Sequence, residues 1–304
     1  MREALRDLHV DRERWLITGA SGQLGGVVAQ RLAALRATAF ALLGQGAFAE
    51  PAIPASRVDL ADHDAVDRHV RDFAPTRILH IGAMTAVGDC HRDPRRAEAI
   101  NVGATRILTA CARDLDARLV FTSTDMVFDG AAAPYAESDE PTPLSTYGHT
   151  KVRAEQALAA APNTLAVRIP LMIGFPATER PTTFVGQYEA LVSGRPLRLF
   201  TDEWRTPITL DDAADALIAL AQTDVEGVVH VAGPERLSRY EIVATVAEAL
   251  GARNAKLEQV SRLSIEAAEP RPADLSLQGA CFATMLPAFA PRAIGESVFH
   301  RRPD

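Results

Sequence analysis

The stretch Trp15-Leu16-Ile17-Thr18-Gly19-Ala20-Ser21-Gly22-Gln23-Leu24-Gly25 decides the fold. A short apolar strand over 15–18 runs into Gly-x-x-Gly-x-x-Gly, and an amphipathic helical stretch follows over 24–35. Glycines permit a tight turn and close approach of the backbone to a pyrophosphate. That group then rests on the helix N-terminus and its dipole, while the third glycine lets helix and strand pack. Gly19, Ser21, Gly22, Gln23, Leu24 and Gly25 are the candidate phosphate residues. A glycine turn alone is compatible with no ligand. Its place at the first strand of a βαβ chain favours a dinucleotide.

Working outward, short apolar runs at 38–43, 78–81, 119–122, 165–169 and 228–231 read as further strands. Amphipathic stretches separate the early ones, and Ile100, Ala104, Ile107, Leu108 and Cys111 fall on one helical stripe. The pattern predicts an α/β protein, a Rossmann-type doubly wound parallel sheet with a smaller C-terminal α/β substrate lobe. The expected domains are 1–170 for the dinucleotide and 171–304 mainly for the substrate. The chain is expected to return to the first lobe at about 206–232. Prolines 170, 176, 181, 196 and 207 break the second half into short pieces. Thr209 to Asp212 resembles a capping box opening a helix through Leu217, Ile218 and Ala221.

The chain has 304 residues, 47 % hydrophobic and 23 % charged, as in ordinary soluble globular proteins. A net charge of -7 with no basic cluster argues against nucleic acid. Cys90, Cys111 and Cys281 form neither a disulfide framework nor a metal site, so no metal and a reducing cytoplasm are expected. The charged start, 1–14, does not read as a signal peptide, and no apolar run is long enough for a membrane.

The cofactor ribose is read at the end of the second strand, where an acid favours NAD and a nearby arginine NADP. Here Leu43 runs into Gly44-Gln45-Gly46 and carries neither signal. Absence of a carboxylate removes one repulsion against a 2′-phosphate, so the reading leans to NADP(H), with Arg36 or Arg57 able to approach. Asp59 and Leu60, after the next short strand, are placed to face the adenine edge.

Leu119-Val120-Phe121-Thr122-Ser123-Thr124-Asp125 reads as a buried strand ending in hydroxyls and a carboxylate. Ligands of open α/β sheets bind at such carboxyl ends. Downstream, Tyr147 and Lys151 stand four apart, on one face of a helix. An ammonium beside a phenol favours the phenolate, making the phenol a better acid. His80 and His230, at strand ends, read as structural.

Together these motifs resemble the extended short-chain dehydrogenase/reductases, and within them the dTDP-4-dehydrorhamnose reductase branch. The resemblance extends over His80-Ile81-Gly82-Ala83, Asn101-Val102-Gly103-Ala104-Thr105, Ser123 to Gly130, Pro134-Tyr135-Ala136-Glu137 and Tyr147-Gly148-His149-Thr150-Lys151. It implies a cytoplasmic enzyme, possible as a homodimer, that reduces a keto-sugar nucleotide by hydride from NAD(P)H. Thr124, Tyr147 and Lys151 would be catalytic. Tyr147 would give the proton, Lys151 would lower its pKa and hold the nicotinamide ribose, and Thr124 would bind the developing alkoxide. Gly82, Ala83 and Asn101 join the cofactor residues, Asn101 through a relay behind the lysine. Thr85, Asp125, Met126, Arg205 and Arg271 are the substrate candidates, the two arginines as diphosphate clamps.

Some positions depart from the branch. Gly88 and His91 replace an Asp and a Glu, Met126 replaces a Tyr, and Leu171-Met172-Ile173-Gly174 replaces an aromatic run. The substrate sugar is therefore open. Related dehydratases carry a Glu where Met126 stands, and a thioether transfers no protons, which disfavours elimination. A sugar-nucleotide epimerase and a non-catalytic NADP-binding regulatory subunit, as of methionine adenosyltransferase, remain the alternatives.

Overall fold

The computed structural model describes residues 10–287 and 289–300, so most of the charged N-terminal stretch lies outside the described residues. The first half follows the order β1 (Arg14–Thr18), α1 (Gln23–Ala34), β2 (Thr38–Leu43), β3 (Ala55–Arg57), α2 (His63–Phe73) and β4 (Arg77–His80). It continues through α3 (Val87–Arg92), α4 (Pro94–Glu98), α5 (Ala104–Asp114), β5 (Arg118–Thr124), α6 (Thr146–Leu158) and β6 (Thr164–Ile169). Short pieces then alternate with helices: β7 (Met172–Ile173), α7 (Thr183–Ser193), β8 (Leu197–Phe200), β9 (Trp204–Arg205), β10 (Ile208–Thr209) and α8 (Leu210–Leu220). The rest is β11 (Gly227–His230), β12 (Leu237–Ser238), α9 (Arg239–Ala249), β13 (Leu257–Val260) and α10 (Ala280–Met285).

Seven strands form one sheet in the order β11-β6-β5-β4-β1-β2-β3, every neighbouring pair parallel. Alternation along the strands explains the two helical layers. Trp15, Ile17, Val120, Leu165 and Val167 face one cluster with Val27, Val28 and Leu32 of α1 and Leu217 of α8. Leu16, Leu119, Phe121 and Ala166 face the other, with Val66, Leu108 and Leu158 of α2, α5 and α6. Because both faces are covered, the strands read as continuous apolar runs.

The chain re-enters the sheet through β11, and α8 packs along α1, where Arg31 is ion-paired to Asp211 and Asp215. Thr209 caps α8 by accepting from the Asp212 amide at 3.0 Å, but the Asp212 carboxylate binds Arg292 instead of completing a capping box. The box is made at Ser238 and Glu241, at the start of α9. A further cluster, with Phe175, Phe184, Leu191, Leu199 and Val246, holds α7, α9 and the β8–β13 pair together.

The stripe read across 100–111 is interrupted. Ala99–Gly103 forms a π turn, and a regular helix begins at Ala104. The added residue rotates the earlier side chains, so Ile100 is only half-buried and Asn101 turns inward.

Candidate active site

The carboxyl ends of β1, β2, β4, β5 and β6 converge on one edge, and the glycine turn lies at its centre. Gly19 has φ +71°, which a side chain rarely adopts, and a Cβ there would stand 2.5 Å from Gly82 Cα. A Cβ on Gly25 would stand 2.2 Å from the Gly19 carbonyl oxygen. Gly22 is the N-cap of α1, Gln23 its first residue, and Leu24 is buried beneath. Ser21 ties the turn to the loop after β2 by accepting from the Gly44 amide at 3.0 Å.

Thr18 Oγ1 accepts from the amides of Ile81 and Gly82, which fixes the β4 exit, Ala83 included, against β1. Leu60 leans over Gly82, its Cδ1 2.6 Å from where a Cβ would be. Asp59 is half-exposed; its carboxylate accepts from the Ala61 amide at 3.0 Å and meets Arg96 at 2.8 Å. Those contacts, the amide first, hold its pKa below the ordinary carboxylate value. Arg57 donates to the carbonyls of Gly44 at 2.6 Å and Gly46 at 3.1 Å, in the loop after β2. Arg36 precedes β2 and so lies at the opposite end of that strand.

Ser145 opens α6, its hydroxyl accepting from the Gly148 amide at 3.1 Å; losing such a cap costs about 1 kcal/mol. The cap and the missing Cβ of Gly148 seat the helix on the turn after β5, where a Cβ would be 2.3 Å from the Met126 carbonyl oxygen. Tyr147 is thereby brought beside the Thr124 hydroxyl, which donates to Asp125 Oδ1 at 3.0 Å. Met126 packs with Tyr147, Cys90 and Met84.

The electrostatics differ from the sequence reading. Burial drives the Tyr147 pKa upward, with Asp125 and Cys90 adding to it and only the Thr124 bond opposing. Lys151 is absent from these influences; its ammonium lies 3.9 Å from the Phe121 ring centroid. Burial lowers the lysine itself to about 7, against the attraction of Glu155 one turn on. Glu155 also accepts from Ser123 and pairs with Arg168 at 2.8 Å.

The direct partners of Asn101 are Met84 and Thr150. Its amide accepts from Met84 N at 2.8 Å, and donates to Met84 O at 3.0 Å and Thr150 Oγ1 at 2.9 Å. It clips the loop carrying Thr85 to α6. Thr85 itself is exposed. Arg205 is not an open clamp either: it is buried, with Nε 3.4 Å from Asp125 and Nη2 3.2 Å from Glu203. Burial raises the Asp125 pKa against the pull of Arg205. Arg271 is exposed and stacks 5.3 Å over Phe200. His80 sits between Thr18 and Thr105 at 2.8 and 3.0 Å, and His230 contacts the Gln278 carbonyl at 3.2 Å.

Three nearby residues escaped the sequence reading. Glu269 accepts from Thr146 N and Oγ1 at 2.8 and 2.7 Å, at the start of α6, and meets His91 at 3.4 Å. Arg239 pairs with Glu203 at 2.8 Å and lines a crevice with Gln23, Leu171 and Met172. Arg180 reaches the glycine turn from the segment before α7. None has a local sequence signal, because each comes from a loop or helix end distant in the chain. Among the described residues no cluster of His, Cys, Asp and Glu could hold a metal, and no helix is long and apolar enough to cross a membrane.

Fold and site together define an extended short-chain dehydrogenase/reductase, a class of NAD(P)-dependent oxidoreductases. The chain belongs to the RmlD substrate binding domain family, whose model matches residues 13–292. It is 32 % identical over 270 residues to the dTDP-4-keto-6-deoxy-D-glucose reductase of Streptomyces niveus, covering 86 % of each chain. It is 30 % identical over 275 residues to the methionine adenosyltransferase 2 subunit beta of Xenopus laevis, covering 88 % of this chain and 80 % of that one. A solved structure of a hypothetical dTDP-4-dehydrorhamnose reductase from Sulfolobus tokodaii superposes with TM-score 0.80 at 28 % identity, over 92 % of this chain and 97 % of that one. The dTDP-4-dehydrorhamnose reductase of Bacillus anthracis, solved in complex with NADP, shares the fold with TM-score 0.80 at 22 % identity, over 93 % and 95 %.

Proposed function

We propose that this chain reduces the ketone of a keto-sugar nucleotide, with NADP(H) as the preferred cofactor. The observation that carries the reading is the juxtaposition of the buried Tyr147 and Thr124 side chains at the carboxyl end of β5, with Lys151 one helical turn on. The glycine turn fits a dinucleotide, since the space near Gly19, Gly25 and Gly82 tolerates no side chain. Gly19, Ser21, Gly22, Gln23, Leu24 and Gly25 would hold the pyrophosphate, and Lys151 the nicotinamide ribose. A reduced nicotinamide bound there supplies the hydride.

The chain's own groups supply the rest. The Tyr147 phenol, its pKa raised by burial, carries its proton at neutral pH, as a general acid requires. Tyr147 gives that proton to the carbonyl oxygen, and the Thr124 hydroxyl, turning its one proton from Asp125, donates to the same oxygen as charge develops. Met126 offers no second acid or base, which supports simple reduction over dehydration. Arg57 at Gly44 and Gly46 favours a 2′-phosphate and hence NADP(H). The buried free thiols Cys90 and Cys111 fit a reducing cytoplasm. The homodimer belongs to the same reading and is checked by light scattering.

A second reading, a cofactor-binding regulatory subunit, is favoured by the 30 % identity to the methionine adenosyltransferase subunit. A panel of 4-keto-sugar nucleotides, followed by loss of NADPH absorbance, separates the two. Stoichiometric oxidation is expected for a reductase. NADPH binding with no ketone turned over across the panel supports the regulatory subunit and contradicts the proposal.

A further inference from the structure

We infer that Arg180 binds the cofactor pyrophosphate, brought to the glycine turn by the second half of the chain. The inference rests on the dinucleotide reading above and adds a residue to it.

The segment between β7 and α7 crosses the turn. Ala177 Cβ lies 3.2 Å from where a Cβ on Gly26 would be, so the segment is seated on α1. Arg180 follows, half-buried, its Nη1 donating to the Ser21 carbonyl at 2.9 Å. The same Nη1 would stand 3.9 Å from a Cβ on Gly22, the N-cap of α1. Its Nε is buried without an acceptor, and no carboxylate pairs with it among the described residues. Arg31, Arg168, Arg205 and Arg292 differ, since each meets an acid.

A guanidinium with free donors beside a helix N-terminus is unfavourable by itself. Both groups are positive. The first turn of α1 contributes no acidic side chain to offset them. An anion between the two removes the conflict. A pyrophosphate has the charge, and its paired oxygens match the planar fork of arginine. The second half of the chain then contributes to cofactor affinity directly, besides shaping the substrate site.

The test compares wild type, Arg180→Gln and Arg180→Lys by calorimetry with three probes. ADP-ribose carries the pyrophosphate without nicotinamide, NADPH carries both, and 2′-AMP lacks the pyrophosphate. A charge-assisted hydrogen bond predicts that Arg180→Gln weakens ADP-ribose and NADPH by about ten- to a hundredfold. Arg180→Lys should lose less, and 2′-AMP should bind both variants as it binds wild type. The ligand-free thermal midpoint should stay unchanged, since only one carbonyl contact is lost. Wild-type ADP-ribose affinity in Arg180→Gln overturns the inference, as does an equal loss of 2′-AMP. Failure of the wild type to bind ADP-ribose or NADPH overturns the dinucleotide reading itself.

Discussion

Lys151 holds its ammonium 3.9 Å from the centroid of the Phe121 ring, buried on the inner face of the helix it shares with Tyr147. The ring face attracts a cation, but by less than water would. Burial accordingly lowers the lysine from 10.5 to about 7. Below pH 7 both folded and unfolded states carry the proton, and the whole burial penalty is present. Between pH 7 and 10.5 the folded state binds fewer protons, so stability rises with pH. Lys151→Met should therefore stabilise the fold at pH 6 by on the order of 2 kcal/mol or more. It should also flatten the rise above pH 7 and abolish turnover. Urea unfolding at several pH values checks this; a destabilised variant at pH 6 contradicts it.

His80 and His230 carry the acid sensitivity. Burial first, then the charge of Lys151, lowers His80 to about 3, while burial outweighs Glu137 and lowers His230 to about 4. Both are neutral when folded, so their contribution is complete above pH 6.5 and is lost as pH falls through those values. Each should remove about 1 kcal/mol per pH unit below 6.5. Unfolding curves at pH 6.5 and 5.0 for wild type and His80→Gln measure it, the variant showing the shallower slope. Equal slopes would mean that His80 is not held neutral.

Arg57 should set the cofactor preference. Its guanidinium already lies at the Gly44–Gly46 loop, where a 2′-phosphate would arrive. Arg57→Ala is expected to weaken NADPH by about tenfold and leave NADH unchanged, the loss of one charge-assisted contact. Parallel titrations decide, and a clear wild-type preference for NADH would refute the NADP(H) assignment.

Gly25 fixes α1 against the turn. The methyl of Gly25→Ala would stand 2.2 Å from the Gly19 carbonyl oxygen, and the obstacle is backbone. Forced displacement should cost about 1–3 kcal/mol of stability and at least tenfold in dinucleotide affinity. Thermal unfolding with cofactor titration reads both; an unchanged protein would show that the close approach is not needed.

The sheet was legible because its signals are local. The strand over 38–43 has the bounds expected, and the glycine turn sits between β1 and α1 as its spacing requires. Thr124 and Tyr147 were legible from chain position, one at a strand end and one in a helix spacing. The pKa relation between Tyr147 and Lys151 was not. Spacing of four gives a shared face but not depth, and depth placed Lys151 against Phe121. Arg205 misled for the same reason: an exposed arginine and a buried one paired with Asp125 look alike in sequence. Arg180 and Glu269 act across more than a hundred residues, and their loops carry no periodic pattern.

The most direct test of Tyr147 as proton donor is NADPH oxidation with a dTDP-4-keto-6-deoxyhexose, run beside Tyr147→Phe. Loss of the general acid predicts a fall in turnover of about 10²–10⁴-fold, with NADPH affinity nearly unchanged. Wild type should consume one NADPH per alcohol formed, and the variant almost none. Undiminished oxidation by Tyr147→Phe would contradict the assignment of Tyr147 as proton donor.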